Sequence, residues 1–360
     1  MTAARNMADT SHITILRWTR QSVVFAAISA LLVLTLAIGP HYFRPEVTDR
    51  LTTLFIYIIL ATMWNALAGY GGLISIGQQA FFGLGAYALI RLSNTGMDVY
   101  LAVIVAVLIV GAMSIPIGQL MLKLRGGEFA IGMWVLAELL HLLVTIDPLI
   151  QGETGTSLIG INAFAPDTRR LYTYWMALGL MVALLCVLFF LLRGRIGASL
   201  QAIRDDETAA ASIGVNVLTS KRVLFFLSAL GCAAAGALWV ATSITFQPRS
   251  FFSPQWTAYM LFMVIVGGLG TFEGPIIGAV IFFLAETFFG ATGVVYLIGL
   301  GVLAVGFALL FPRGIWGAFE HRFPIRLVPI GYHLRLPKTR REEKIPAPSS
   351  AGKHASSAIR

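Results

Sequence analysis

The longest run of acidic side chains is Asp205-Asp206-Glu207, which directly follows Arg204 and precedes an alanine-rich run. Clustered carboxylates can hold a Mg²⁺ ion that binds phosphate, but that chemistry normally needs a second set of carboxylates, and the sequence has none. Acidic residues are also favourable at the positive end of a helix dipole. We therefore interpret the cluster as the solvated start of a helix rather than as a metal site.

Glu138 and His141 are ionisable residues inside a hydrophobic stretch, one helical turn apart and so on the same face of a helix. A carboxylate at the centre of a membrane helix costs roughly 2.5–3.5 kcal/mol on insertion scales. The carboxylate could relay protons, or it could make a structural hydrogen bond to His141 or to a neighbouring helix. We favour the structural role, and we interpret Glu286 in a later stretch in the same way.

Several kinds of catalytic site have no support in the sequence. The phosphate-binding pattern Gly-x-x-x-x-Gly-Lys-[Ser/Thr] does not occur, and neither does the Gly-x-Ser-x-Gly pattern of serine hydrolases. The six His and two Cys residues form no His-x-x-x-His or Cys-x-x-Cys pair. We therefore predict no metal site, no cofactor and no enzymatic activity in this chain.

The composition indicates that these side chains lie on or between membrane-spanning helices. Hydrophobic residues make up 57% of the 360 residues and charged residues only 12%, whereas about a quarter of an ordinary soluble domain is charged. We predict an all-α polytopic membrane helix bundle with about 10 transmembrane helices (range 8–10). The stretches of spanning length are 23–39, 51–68, 73–91, 99–120, 129–146, 172–192, 223–244, 256–271, 274–290 and 292–311.

The distribution of basic residues predicts the orientation. With ten alternating spans and the N-terminus inside, 20 of the 26 Lys and Arg residues fall on the inside and 6 on the outside. This excess predicts that both termini are cytoplasmic. It also accounts for the net charge of +9 without nucleic acid, since no stripe of basic and aromatic residues is present.

This topology divides the chain into three parts. Residues 1–22 form a cytoplasmic N-terminal segment, and residues 23–317 form the transmembrane domain. Within that domain, the loop 193–222 is the only long cytoplasmic segment between spans. Residues 318–360 form a basic tail that we predict to be disordered, because it is rich in Lys, Arg, Pro and Ser.

Two glycine-rich segments, residues 71–77 and 267–274, resemble each other. Each segment follows one hydrophobic stretch and begins the next. Glycine-interrupted helices at corresponding places in two halves point to a transport pathway, although glycines also simply allow helices to pack closely. We assign to this translocation path or helix break the residues Gly71, Gly72, Ser75, Gly77, Gln78, Gly267, Gly268, Gly270 and Gly274.

Four stretches, at 65–87, 195–216, 267–279 and 311–317, resemble the M-type permease subunits of ABC importers for branched-chain amino acids. They begin Asn65-Ala-Leu-Ala-Gly69, Arg195-Ile-Gly197, Gly267-Gly268-Leu-Gly270 and Phe311-Pro312-Arg313-Gly314, in the family's order and with suitable spacing. The sequence departs from the family at Gln78, where members often have His, and at Thr156, where they often have Gly. Urea, amides and aromatic acids, which other members import, therefore stay open beside hydrophobic amino acids as substrates.

The resemblance implies a bacterial inner-membrane permease that works with a second permease subunit, two ATPase subunits and a periplasmic binding protein. The alternative from another class is an ATP-independent channel or secondary carrier. The resemblance also implies that the loop 193–222 docks on an ATPase subunit, and the helix-forming residues up to the candidate cap Gly214 suit that role. We assign to this coupling contact Gly197, Ile203, Arg204, Asp205, Asp206, Glu207, Ala209 and Gly214.

Overall fold

The structure is a computed structural model, and it describes residues 14–16, 20–311, 313–322, 328 and 333–335. Helices dominate the described residues, as the hydrophobic stretches predict. Two short antiparallel strand pairs join β1 (Thr14–Leu16) to β4 (His333–Arg335) and β2 (Thr156–Ser157) to β3 (Thr245–Phe246). The helices are α1 (Arg20–Ile38), α2 (Pro45–Asn65), α3 (Gln79–Asn94), α4 (Val99–Met121), α5 (Gly127–Thr145), α6 (Pro166–Arg193), α7 (Arg195–Asp205), α8 (Glu207–Ser212), α9 (Val217–Ser243), α10 (Pro248–Phe251), α11 (Pro254–Gly267), α12 (Gly274–Phe289), α13 (Val294–Leu310) and α14 (Gly314–Arg322).

Eight helical segments in the described residues are long and apolar enough to cross a membrane, judged by length and composition. The other two predicted stretches contain α3, with 16 residues, and α11, with 14 residues, which are short for a bilayer that needs about 20. Each short helix adjoins a non-helical segment. We call residues 71–78 the first break and residues 268–273 the second break.

The core of the bundle lies around α2, α3 and α9. Residues 55–71 are buried without interruption, because α2 is apolar on all sides and is surrounded by other helices. The backbones of α3 and α9 approach closely at two glycines. A Cβ on Gly85 would overlap the Ala233 carbonyl oxygen, and a Cβ on Gly236 would overlap the Phe82 carbonyl oxygen. Small residues therefore set this helix spacing.

The outer helices expose large apolar side chains. Leu31 on α1, Leu108 on α4, Val135 on α5 and Leu309 on α13 are each more than half exposed. A soluble protein would rarely present such continuous apolar faces, whereas lipid tails cover them at no cost. The chain is a multi-pass membrane protein.

The connections gather at two ends of the bundle. At one end, α7 and α8 (residues 195–214, the α7–α8 segment) lie near the second break and the start of α14. At the opposite end, β2 pairs with β3, and Arg170 at the start of α6 forms an ion pair with Asp49 near the start of α2.

Both terminal segments predicted from the sequence contain helix or strand residues in the structure. The helix α14 runs across the boundary between 317 and 318, and β4 lies inside the predicted tail. Its partner β1 lies inside the predicted N-terminal segment, so the two terminal segments meet on one side of the bundle. Most of the predicted disordered tail lies outside the described residues.

Candidate functional site

The first break separates α2 from α3. A π-helical turn ends the α2 segment, and a Cβ on the next residue, Gly71, would collide with Leu224 of α9. The indole Nε1 of Trp64 then donates to the Ser75 carbonyl oxygen at 3.0 Å, which holds the break against α2. Gly72 has a φ of +65°, which a residue with a side chain rarely adopts. This non-helical backbone is held in place by contacts with α2 and α9.

Buried amides stand where the first break meets α3. The backbone of Gly77 passes directly against α5, because a Cβ there would overlap the Met133 carbonyl oxygen. Gln78 and Gln79 are both fully buried. The Thr257 hydroxyl donates to the amide oxygen of Gln79, whereas the Gln78 amide has no hydrogen-bond partner among the described residues. A buried amide without partners costs about 1–3 kcal/mol, so Gln78 is suited to a ligand or to water.

The second break turns the chain between α11 and α12. Gly268 and Gly270 have φ values of +135° and +76°, which favour glycine. The Thr271 hydroxyl donates to the Gly268 carbonyl oxygen at 2.8 Å and accepts from the Gly274 backbone N–H at 3.1 Å. Gly267 and Gly274 face each other so closely that neither has room for a side chain. The break is therefore a tight and fully specified turn.

Asn65 joins the end of α2 to the second break. Its side-chain Nδ2 donates to the Thr271 carbonyl oxygen at 2.8 Å, and its Oδ1 accepts from the Gly270 backbone N–H at 2.8 Å. Sequence reasoning did not assign Asn65 to the site. The signal was present, because Asn65 is an amide at the end of a long apolar run and buried amides need partners.

The α7–α8 segment has the caps that the sequence predicts. The Asp206 carboxylate accepts from the backbone N–H groups of Thr208 at 2.8 Å and Ala209 at 2.9 Å, which caps the start of α8. Gly214 has a φ of +85° and donates to Ala211, while the Val215 N–H donates to the Ala210 carbonyl oxygen. These two bonds are those of a Schellman motif. The acidic cluster is the start of a helix.

The α7–α8 segment packs on the bundle through one apolar face. Leu200 and Ile203 are buried, and Gly197 lies against the Leu192 carbonyl oxygen with no room for a Cβ. Asp205 and Ala209 are exposed, as are the acidic residues that follow Asp205. The segment is thus fixed to the bundle on one side and open to contact on the other.

Both breaks lie beside the α7–α8 segment. The Arg204 guanidinium lies against Gly270, in the space that a side chain on that glycine would fill. Glu207 forms an ion pair with Lys221 of α9 at 2.7 Å. Glu207 and Lys221 line a cavity of about 440 Å³ together with residues of the first break and of the α4–α5 turn: Gly72, Leu73, Leu122, Lys123, Leu124, Arg125 and Gly126.

Glu138 and His141 lie toward the opposite end of the bundle. The Nδ1 of His141 is 3.2 Å from Oε1 of Glu138, which is the contact that the sequence predicts. The Nε2 of His141 is 3.0 Å from Oε1 of Glu153, at an angle that makes an ion-pair contact rather than a hydrogen bond. The ring of His141 stacks on Phe252.

A carboxylate just beyond α5 fixes the opposite end of α3. The Tyr87 hydroxyl donates to Oδ2 of Asp147 at 2.6 Å, and the Leu149 backbone N–H donates to Oδ1 at 3.1 Å. Arg91 adds an ion pair with Asp147 at 3.2 Å. These donors, the Tyr87 hydroxyl foremost, hold the pKa of Asp147 below its usual value.

No group of three or more His, Cys, Asp or Glu residues that could hold a metal ion occurs in the described part of the chain. Cys186 and Cys232 are free thiols. The polar groups that the structure gathers are amides, hydroxyls and backbone groups at the two breaks. Such groups can bind and release a polar solute, and they supply no nucleophile paired with a base.

Comparison with known proteins gives one family. The profile of the family described as branched-chain amino acid transport system / permease component matches residues 47–314. The high-affinity branched-chain amino acid transport system permease protein LivM of Escherichia coli (strain K12) is 27% identical over 314 residues, covering 79% of this chain and 73% of that protein. The probable branched-chain amino acid transport permease protein LivM of Methanocaldococcus jannaschii is 24% identical over 250 residues, covering 63% of this chain and 70% of that protein.

Solved structures give a weaker likeness. A chain described as a metal-chelate type ABC transporter in an inward-facing conformation aligns with a TM-score of 0.44 at 16% identity, covering 84% of this chain and 100% of that chain. A TM-score at this level carries no argument about this chain. The assignment depends on the family profile and on the sequence relatives.

Proposed function

Because the chain belongs to the family of branched-chain amino acid transport system permease components, we propose that it is the transmembrane permease subunit of a binding-protein-dependent ABC importer. It would translocate branched-chain or other hydrophobic amino acids across the bacterial inner membrane. Its partners would be a second permease subunit, two ATP-binding cassette ATPase subunits and a periplasmic substrate-binding protein. ATP hydrolysis would occur in the ATPase subunits.

One observation carries this proposal beyond the family assignment. The α7–α8 segment, which is exposed on one side, lies against Gly270 of the second break and shares a cavity with Gly72 of the first break. A partner that pulls on this segment would therefore move both helix breaks together. Such rigid-body transmission is how packed interfaces amplify small displacements into alternate conformations.

The α7–α8 segment suits an ATPase contact by its chemistry. Its exposed face carries three consecutive carboxylates at residues 205–207, and its buried face is fixed by Leu200 and Ile203. Complementary charge at the rim of an interface steers docking, while a rigid element transmits force. The ATPase surface that receives the segment would accordingly be basic.

The proposal is tested by reconstituting the chain with its co-encoded partners in liposomes that enclose ATP. Uptake of radiolabelled L-leucine should need the binding protein outside, ATP inside and both permease subunits. Uptake of L-leucine by this chain alone, driven only by its gradient, would instead establish an ATP-independent carrier. Uptake of urea or benzoate in preference to L-leucine would support the importer assembly but contradict hydrophobic amino acids as its substrates.

A further inference from the structure

Glu286 is a carboxylate inside the helix α12, in a segment of the bundle long and apolar enough to cross a membrane. Its Oε2 accepts a hydrogen bond from the Tyr57 hydroxyl at 2.6 Å. Among the described residues it forms no ion pair with any Lys, Arg or His. A carboxylate at membrane depth without a cationic partner is expensive and indicates a functional group.

Two further phenols lie in the neighbourhood of this carboxylate. Tyr259 of α11 and Tyr296 of α13 both lie within electrostatic reach of Glu286. The Tyr296 hydroxyl is buried and has no hydrogen-bond partner among the described residues. A buried hydroxyl in this state is costly unless something absent from the free chain bonds to it.

The same residues belong to a closed circuit of aromatic rings. Tyr57 contacts Trp239, Trp239 contacts Trp256, Trp256 contacts Tyr259, Tyr259 contacts Phe282, and Phe282 contacts Tyr57, with centroid distances between 4.7 and 6.0 Å. These rings come from α2, α9, α11 and α12, so four helices meet here. Faces of Trp and Tyr rings attract cations, and ammonium groups in proteins are often held by such aromatic cages.

We propose that Glu286, the phenols of Tyr57 and Tyr296 and this aromatic circuit bind the ammonium group of a zwitterionic amino acid during its passage. This inference rests on the proposed function and narrows it. A carboxylate among rings favours a substrate with a positive group and an apolar side chain. Urea and simple amides have no positive charge, and aromatic acids bring a negative charge that Glu286 repels.

The position of the circuit suits an early step of passage. Gln255 and Tyr259 stand near the start of α11, which follows the connections of the opposite end, and Gln255 is exposed. The side chains of Gln255 and Tyr259 are hydrogen-bonded to each other. An exposed amide therefore adjoins the aromatic circuit at this end of the bundle.

The direct test measures ligand binding to the purified complex of permease and ATPase subunits, without the binding protein. Three probes share one apolar body: L-leucine, 3-methylbutylamine without the carboxylate, and 4-methylpentanoate without the amine. We expect Glu286→Gln to weaken binding of L-leucine and 3-methylbutylamine by at least about tenfold, because a charge partner is lost. Binding of 4-methylpentanoate should be unchanged or tighter, because the repulsion between two carboxylates is relieved. The matched control is Glu138→Gln, another glutamate of a hydrophobic helix that lies outside the circuit.

Tyr296→Phe separates binding from folding. This change removes a buried hydroxyl that has no partner in the protein, so the thermal stability of the complex should be unchanged or higher. Amine binding should nevertheless fall by about threefold or more, as expected for the loss of one hydrogen bond. Tyr100→Phe, which removes a hydroxyl that donates to the Arg169 carbonyl oxygen, is the control for loss of a phenol elsewhere.

Three results would overturn the inference. The first is amine binding within twofold of the wild-type value in a folded Glu286→Gln complex. The second is an equal loss for 4-methylpentanoate, which would make the change structural. The third is uptake that a protonophore abolishes at saturating ATP in the wild-type complex but not in the Glu286→Gln complex, which would make Glu286 a proton carrier. If the wild-type complex fails to import L-leucine but binds another amino acid through Glu286, the proposed substrate is wrong. The binding of an ammonium group at Glu286 is then still supported.

Discussion

At the scale of single residues, the contacts of Glu138 in a hydrophobic helix favour the structural role that the sequence predicts. Its side chain is 57% exposed at the edge of the bundle, and it contacts His141, which is itself held between Glu138 and Glu153. A proton relay through a membrane needs a chain of titratable groups across the bilayer. The contacts of Glu138 lead instead to Glu153 in the connection beyond α5.

We predict that Glu138→Gln leaves transport intact. Glutamine keeps the shape and can still bond to His141, while it removes the titration. Uptake by reconstituted complexes should stay within about twofold of the wild-type rate, because only one partly exposed contact changes. Loss of uptake with normal assembly and ATP hydrolysis would contradict the structural role.

A second prediction at this scale concerns Asp147. Its pKa is lowered in the folded protein, so its contribution to stability is present at neutral pH and is lost as the pH falls through that lowered value. Asp147→Asn should lower the Tm at pH 7 by roughly 1–2 °C, which corresponds to about 1 kcal/mol for a chain of this size. The difference should begin to shrink below about pH 4, where the unfolded chain takes up a proton at this carboxyl, and should vanish only below the lowered pKa of Asp147 in the folded protein.

The control for Asp147 is Asp167→Asn. The Asp167 side chain is 91% exposed and pairs with Arg170 on the same helix face. Such surface pairs contribute little to stability. Thermal unfolding in detergent at pH 7 and at a series of pH values below about 4 measures both variants, and an effect of Asp147→Asn that stays constant across the series would contradict the lowered pKa.

At the scale of elements, the contact between α3 and α9 depends on glycine. Gly85→Ala should destabilise the bundle by about 1–3 kcal/mol, because the added methyl group would overlap the Ala233 carbonyl oxygen and neither backbone can yield cheaply. Gly179→Ala on α6 is the matched control, since nothing lies within 4 Å of its Cβ position. In thermal unfolding of the purified variants, the Tm of Gly85→Ala should be lower than the Tm of Gly179→Ala. Equal Tm values would mean that α3 can shift away from α9.

The α7–α8 segment allows a prediction about coupling. The double change Asp206→Lys and Glu207→Lys reverses two exposed charges, breaks the ion pair with Lys221 and removes the cap of α8. We expect it to weaken ATPase binding through repulsion and to lower substrate-stimulated ATP hydrolysis by about tenfold. Pull-down of the ATPase subunit and ATP hydrolysis in reconstituted complexes measure the two effects.

Two variants separate charge from backbone in this segment. Asp206→Asn keeps a good cap and removes one charge, so it should have the smaller effect. Gly214→Val should impair coupling without a change of charge, because it forces a branched residue into a φ of +85°. Normal coupling in the charge-reversed variant would place the ATPase contact elsewhere, such as the turn at Gly126.

At the scale of the whole molecule, the termini meet on one side of the bundle through β1 and β4. The backbone N–H of Val328 also donates to the Glu273 carboxylate at 3.0 Å, beside the second break and the α7–α8 segment. Termini on the same side of the bundle are expected if the chain crosses the membrane an even number of times. Together with the distribution of basic residues, it supports the prediction that both termini are cytoplasmic.

Cysteine labelling in intact cells tests this topology. In a Cys186→Ser background, Asn162→Cys should react with an impermeant maleimide added outside, because Asn162 is exposed at the opposite end of the bundle. Ser356→Cys should react only after the membrane is permeabilised. Labelling of position 356 from outside would contradict this topology and require either the opposite orientation or an odd number of crossings.

The sequence by itself determined the membrane fold, the ten apolar segments and the family. Hydrophobic length and composition are local properties, and the glycine motifs are read along the chain. It also located the helix start at Asp206 and the cap at Gly214, because caps depend only on neighbouring residues.

Only the tertiary structure decided which distant groups meet. The bonds from Asn65 to the second break span about 200 positions of sequence, and Tyr57 reaches Glu286 across a still longer separation. Two apolar segments contain helices shorter than a bilayer, because glycines and close contacts with other helices make their ends unwind. Hydropathy cannot show this, since it counts apolar residues and does not register which backbone groups find partners on another helix.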